Sequence, residues 1–521
     1  MMLRRPVIRC LLGLPVALVA AVLVALSLGS LAAVAWRAEG WSGLRPSDWG
    51  AVRFTLLQSA LSAGLSVALA VPVARALARR QFLGRGLLIT VMGAPFILPT
   101  LVAVLGLLAV FGQSGLVSDA LALFGLPPVQ IYGLHGVVLA HVFFNLPLAV
   151  RLILHGWQGI PAERFRLAAS LGFTPRDTFR QIEAPMLRGV LPGAALVIFL
   201  ICLTSFAVAL TLGGGPAATT VELAIYQAFR FDFDLSKAAL LGLIQFGLCA
   251  GAAVISLRVT LAPTALGGMD RALMRWDLPA PGWDAAVVTL AAAFLLVPLA
   301  VIMASGLGAV PGLPVAVWQA AARSVAVALG ATALTLCFAL LLALAIVRVK
   351  QPVSAGLETI GMLSLAASPL VMGTGLFILL FPLVEPARIA LAVTMLVNAA
   401  MALPFVLRAI LPPLREVEAT HGRLSDSLGL TGWARFRIVT LPRLRRPLGF
   451  AAGLTAALSM GDLGVIVLFA EPDGATLPLM LYRLMGAYRL DNAAGAAVLL
   501  LGASLLMFWV FDRWGRGHAA V

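Results

Sequence analysis

The sequence predicts an all-α integral membrane protein of twelve transmembrane helices, arranged as two parallel six-helix repeats. Three observations carry this. Of 521 residues, 61% are hydrophobic and only 11% charged, with a mean hydropathy of +1.03; a soluble globular domain has about 25% charged residues. Twelve apolar runs approach the roughly 20 residues a helix needs to cross the hydrocarbon layer. Finally, a shift of 257 residues superimposes two polar segments. Leu146-Pro147 falls on Leu403-Pro404, Arg166-Leu167 on Arg423-Leu424, and Ser170-Leu171-Gly172 on Ser427-Leu428-Gly429. The match continues through Thr174 and Thr431, Phe179-Arg180 and Phe436-Arg437, and Pro185 and Pro442. Abundant Leu, Ala and Arg align by chance, whereas aligned Gly, Pro, Phe and Thr mark a duplication.

The runs lie near 11–35, 54–78, 88–112, 134–155, 190–211 and 238–260, then 285–307, 324–347, 360–383, 388–410, 447–469 and 494–512. Six fall in each half, giving repeats over 1–265 and 266–521. Because six is even, each half starts and ends on the same side, so the repeats are parallel rather than inverted. The first run, from about Cys10 to Ala35, exceeds the 7 to 15 residues or so of a signal h-region, so it reads as an uncleaved span despite the Ala33-Val34-Ala35 ending. Cys10, Cys202, Cys249 and Cys337 fall in or beside apolar runs with no CxxC spacing, and read as core or lipid-facing residues rather than disulfides or metal ligands.

A net charge of +15 would suit nucleic acid in a soluble protein. Here most of the 37 lysines and arginines sit in alternate loops: Arg4, Arg5 and Arg9, then Arg75 to Arg85, Arg151 to Arg188, Arg258 to Arg275, Arg348 and Lys350, Arg408 to Arg446, and Arg513 and Arg516. The positive-inside rule places those loops and both termini in the cytoplasm, and leaves the bilayer, not nucleic acid, as the partner.

The duplicated segments, 156–190 and 412–447, are therefore two equivalent cytosolic loops. In the first, Pro161 opens a helical stretch from Ala162 to Leu171, Gly172 breaks it, Pro175 to Ile182 forms a second short helix, and Pro185 stops it. Phe165, Leu171, Phe173 and Phe179 supply apolar anchors among Arg166, Arg176 and Arg180; the second copy repeats the plan with Leu424, Leu428, Leu430, Trp433 and Phe436. A helix-Gly-helix knob of this kind suits a groove on a partner, and two of them suit a dimeric partner. An amphipathic segment lying on anionic headgroups is the other reading.

This loop resembles the EAA signature of ABC-importer permeases, through Ala168, Leu171-Gly172, Phe179 and Pro185, and again through Leu428-Gly429, Phe436 and Leu441-Pro442. Arg166 and Arg423 stand where the signature has Glu. The resemblance implies that each loop is a coupling helix seated in a cleft of a separate ATP-binding subunit. Leu212 to Gln227, with Gly213-Gly214-Gly215-Pro216, and Gly461 to Phe469 are similar to segments of the fused permeases of thiamine importers. The ferric-iron permeases share the duplication and a similar Gly-Gly-Pro loop. The chain has no GxxxxGK[ST] phosphate loop, HExxH or GxSxG, and its five histidines are scattered, so no ATP site, metal site, cofactor or catalytic centre is expected.

Polar residues inside the spans mark a transport path. Asp462 in span eleven matches Ser205, and Asn398 in span ten matches His141, with Asn145 one turn on. An intramembrane carboxylate reads as functional by default, whereas His141, Asn145 and Asn398 read equally as interhelical hydrogen bonds. The segment from Leu212 to Lys237 reads as a mobile periplasmic loop, with Gly213, Gly214, Glu222 and Tyr226 offered to a soluble substrate-binding protein. An ion-coupled secondary transporter also uses parallel six-span repeats, but would match acidic residues at midplane in both halves, whereas Asp462 matches a serine.

Overall fold

The computed structural model describes residues 5–37, 45–93, 97–258, 281–471 and 474–516. Arg4, Arg271, Arg275, His518 and the boundary at 265/266 lie outside the described residues, as does the side chain of Cys10. The first half comprises α1 (Arg5–Val24), α2 (Ser30–Arg37), α3 (Pro46–Arg79), α4 (Arg85–Val91), α5 (Thr100–Phe111), α6 (Leu116–Ala122), α7 (Leu134–Gln158), α8 (Ala162–Ser170), α9 (Pro175–Thr178), α10 (Ala184–Leu203), α11 (Ala207–Leu212), α12 (Val221–Arg230) and α13 (Leu235–Arg258). The second comprises α14 (Pro281–Leu307), α15 (Val315–Arg348), α16 (Val353–Met362), α17 (Pro369–Leu380), α18 (Pro386–Ser427), α19 (Gly432–Arg435), α20 (Leu441–Gly461), α21 (Ile466–Phe469), α22 (Leu477–Gly486) and α23 (Leu490–Arg516).

Eleven helices among the described residues are long and apolar enough to cross a membrane. The run expected at 360–383 is divided. Its apolar helix is the twelve-residue Pro369–Leu380, about 18 Å at 1.5 Å per residue against a hydrocarbon layer of about 30 Å. The Ser368-Pro369 pair starts a fresh helix there, Ser368 capping the Val371 N–H at 3.1 Å, so α16 and α17 share the crossing. The first half divides in the same place, between α4 and α5.

Helix packing inverts soluble amphipathicity. On α3 the buried face is small and hydroxylic, with Ala51, Thr55, Ser59, Ser62, Ser66, Ala70 and Ala74, while Leu57, Leu61, Leu65 and Leu69 form an exposed stripe at four-residue spacing. Small residues let α7 and α10 approach closely, and lipid receives the leucines.

Each half's first helix packs against the other half. α1 lies on α15 and α16, and α2 on α17; α14 lies on α3 and α5. The approach is backbone-close at equivalent glycines: a Cβ on Gly106 of α5 would sit 2.8 Å from the Pro298 carbonyl oxygen, and one on Gly375 of α17 would overlap that of Ser30. A charge cluster secures α14, where Asp284 accepts from Arg79 Nε at 2.8 Å and Arg80 Nε at 2.7 Å. The repeat register is not uniform. α3 and α15, 34 residues each, start at Pro46 and Val315, an offset of 269, because the first half inserts α6 between spans three and four.

Candidate functional site

The two arginine-rich loops fold alike at their tips. Gly172 and Gly429 take left-handed φ values of +69° and +66°, each ending a helix and redirecting the chain into the four-residue α9 or α19. A wide π turn follows, Phe179–Glu183 in one copy and Phe436–Thr440 in the other. Pro185 and Pro442 do not stop the helix as expected. The Ala184 and Leu441 N–H groups donate five residues back, to the Phe179 and Phe436 carbonyls, and the widened turn absorbs the proline that follows. α10 and α20 therefore run directly out of the knobs.

The copies differ at their entry. In the first, Gly159-Ile160-Pro161 separates α7 from α8; at that register the second has Glu416-Val417-Glu418, and α18 continues unbroken for 42 residues. Of the expected anchors, Leu171, Phe179, Leu424, Leu428 and Trp433 are exposed, with Leu167 and Ile438 beside them, and Phe173, Leu430 and Phe436 are half-buried. Phe165 is not an anchor: it is core, 3% exposed, as is Ala168. Arg166, Arg423, Pro185 and Pro442 are exposed. The Thr174 hydroxyl donates to Asp177 at 2.6 Å, which holds that exposed carboxyl below its ordinary value. Arg75 donates to the buried Glu183 at 2.8 Å and lies 5.2 Å from the Phe179 ring, bracing the first knob against α3.

Deeper in the bundle, both halves unwind at one register. α10 breaks at Thr204-Ser205 and α20 at Asp462, and the N–H groups of Ser205 and Asp462 each reach back to a carbonyl at 3.4 Å, those of Cys202 and Ser459. Asp462 is thus at a helix break, not within a helix. It is half-buried; Oδ1 accepts the Gly464 N–H at 3.3 Å, and Oδ2 has no hydrogen-bond partner among the described residues. The break is wedged between the starts of α5 and α17. A Cβ on Gly461 would lie 3.1 Å from Pro99 Cα, and one on Gly464 would lie 3.6 Å from Pro369 Cβ. One carboxylate therefore sits where helix N-termini from both halves converge.

His141 and Asn145 are engaged within the first half. His141 is hydrogen-bonded to Ser205 at 2.8 Å and Ser62 at 3.3 Å, and Asn145 donates to the His141 carbonyl at 2.8 Å and to Cys202 at 3.4 Å. They tie α3, α7 and α10 within one half. In the other half Asn398 ties α18 to α20, donating to Ser459 at 2.9 Å.

The expected open loop after span five is a buried half-helix. The Val221 N–H donates to Thr55 at 2.9 Å, drawing the start of α12 into the bundle, and Glu222 and Tyr226 are buried with it; Gly213 is buried and Gly214 exposed. The second half repeats the device, with the Leu477 N–H donating to Ser324 at 2.8 Å. Sequence reading missed Phe229, Phe377 and Phe469, which join α12, α17 and α21 across the halves at centroid distances of 4.6 and 5.4 Å. Their signal, three phenylalanines on short helices in distant segments, has no periodicity to detect.

Similarity to known proteins runs along nearly the whole chain. It is 39% identical to the thiamine transport system permease protein ThiP of Escherichia coli (strain K12) over 508 residues, 94% of each chain. The chain belongs to the thiamine transport system permease family. It is also 39% identical to the ThiP of Brucella abortus (strain 2308) over 479 residues, 89% of this chain and 87% of the relative. For the Haemophilus influenzae ThiP the identity is 35% over 472 residues, 88% and 87% of the two chains. A shorter match, 29% over 182 residues, covers 35% of this chain and 80% of the molybdenum transport system permease protein ModB of Azotobacter vinelandii. No family model matches the chain. Membership of this family and the apolar helices make the chain a multi-pass inner membrane protein.

Proposed function

We propose that this chain is the permease subunit of a binding-protein-dependent ABC importer for thiamine and its pyrophosphate, with residues 1–265 and 266–521 as its two repeats. The observation that carries the reading is the pair of knobs with matching left-handed glycines and π turns, exposing apolar residues among arginines. Identity with thiamine permeases along nearly the whole chain supports the substrate. Orientation follows the arginine distribution, with knobs and termini in the cytoplasm.

Each knob fits a groove on one subunit of an ATPase dimer, through Arg166, Ala168, Leu171, Gly172, Phe179 and Pro185 on one side and Arg423, Leu428, Gly429, Phe436 and Pro442 on the other. Ala168 supports from beneath. Closure of the ATPase on ATP draws the knobs together, and because α10 and α20 leave them without a break, the motion reaches Ser205 and Asp462 directly. Asp462 attracts the cationic thiazolium ring along the path. His141, Asn145 and Asn398 keep each half rigid while it moves, and the exposed Gly214 turn meets the delivering binding protein.

Purification in mild detergent with the candidate ATPase and binding protein tests this. A complex that hydrolyses ATP faster with thiamine-loaded binding protein, and that fills proteoliposomes with labelled thiamine, is expected; a chain that moves thiamine with neither partner overturns the reading.

A further inference from the structure

The two knobs are filled by different chemistry. In the second, the Arg435 guanidinium donates from Nη2 to Glu418 Oε1 at 2.6 Å and from Nη1 to Asp426 Oδ1 at 2.9 Å, tying the last turns of α18 to α19 across the Gly429 bend. Gly422 leaves the space: a Cβ there would sit 3.2 Å from Arg435 Nη2 and 3.6 Å from Glu418 Oε1. Arg348, ending α15, lies close enough to feel the same three charges. At the register of Gly422 the first half has Phe165, 3% exposed, and at that of Arg435 it has buried Thr178; Pro161 and Ala169 stand for the two carboxylates. An aromatic ring takes the place of an ionic clamp.

Beneath the turn the chemistry is reversed. The first half has the Arg75 to Glu183 pair with Trp157, and the second has Leu344, Thr440 and Leu414 at those positions. The two ionic elements differ in access to salt. Glu183 has no exposed surface, whereas the side chains of Glu418 and Asp426 are 30% and 64% exposed. Arg75 is 23% and Arg435 12% exposed, so each element meets solvent on one side, but only in the second are the carboxylates open, and counterions screen it more.

We propose that Arg435 is the positioning residue of the second knob, and that its clamp makes this knob the more responsive to ionic strength, so that coupling to the ATPase loosens there first. The proposal rests on the coupling reading above. The fork of one guanidinium across two carboxylates fixes the angle of α19 on α18; a lysine, as a single point charge, holds one of them.

Amide exchange on the purified permease, without ATPase, reads the clamp. Arg435→Ala should raise exchange over 428–440 roughly fivefold, the effect of losing a partly exposed charge pair, and leave 171–183 unchanged. Raised salt should move the native protein the same way, and Arg435→Lys should fall between. Gly422→Phe with Arg435→Thr, Glu418→Gln and Asp426→Ala, which removes both carboxylates with the guanidinium and transplants the first half's ring, should restore protection and lower its salt dependence. In the reconstituted complex, thiamine moved per ATP hydrolysed should drop in Arg435→Ala and recover in the transplant. Unchanged protection in Arg435→Ala, or equal loosening of both knobs by salt, overturns the proposal. If the transplant does not fold, the lysine variant and the native salt titration still decide it. Altered protection with unaltered transport per ATP refutes the coupling role of the knob while leaving the clamp standing.

Discussion

Replacing Asp462 with Asn separates charge from structure at the helix break. The carboxylate contributes one local bond, Oδ1 accepting from the Gly464 N–H at 3.3 Å, and an amide oxygen keeps it; Oδ2 has no partner to lose. The fold should therefore change by less than about 1 kcal/mol, the worth of one neutral hydrogen bond. The effect on a cation is larger. At about 5 Å and an effective dielectric of about 20, a unit charge pair is worth roughly 3 kcal/mol. Water reaching a half-buried site screens part of that, leaving about 1 to 3 kcal/mol, a tenfold to hundredfold fall in uptake at low substrate concentration. The assay is uptake of labelled thiamine into proteoliposomes holding the full complex, alongside ATPase activity and melting temperature. Uptake equal to the native protein's, with melting unchanged, would remove Asp462 from the path; a large fall in melting temperature would assign it to structure instead.

Other substitutions probe the frame. Glu183→Gln should leave Arg75 facing a neutral group and cost about 2 to 4 kcal/mol, seen as a lower melting temperature in detergent; Arg75→Leu with Glu183→Thr, the second half's own residues, should recover most of it. Gly172→Ala and Gly429→Ala meet nothing within 4 Å, so each should cost only the backbone penalty of about 1 to 2 kcal/mol, with equal losses of coupling; unequal losses would mean that the knobs do not share the load. Asp284→Asn should weaken the attachment of α14 to α3 by about 3 kcal/mol, and protease nicking near residue 281 should then rise; unchanged nicking would show that apolar packing alone holds α14.

Much of the architecture was legible because lipid imposes one rule on every span. A backbone in hydrocarbon must bond within itself, so apolar runs of sufficient length report helices whatever their neighbours. The knobs were legible because a left-handed turn demands glycine, and Gly172 and Gly429 stand one repeat apart. Phe165 was misread because an aromatic residue on a short amphipathic helix has the same pattern whether it faces a partner or the core. Glu222 and Tyr226 were misread because glycines and mixed charge describe a surface loop, while the Thr55 hydroxyl that draws α12 inward lies 166 residues away in sequence.

Sequence alone determined the helical class, the duplication, the family and the two knobs, since each depends on composition or spacing within a short stretch. Tertiary structure decided which helix starts converge on Asp462, that each half's first helix lies on the other half, and that one knob is filled by a ring and the other by a guanidinium. Those depend on contacts between residues far apart along the chain, and such contacts are set by the close approach of whole helices rather than by any local pattern.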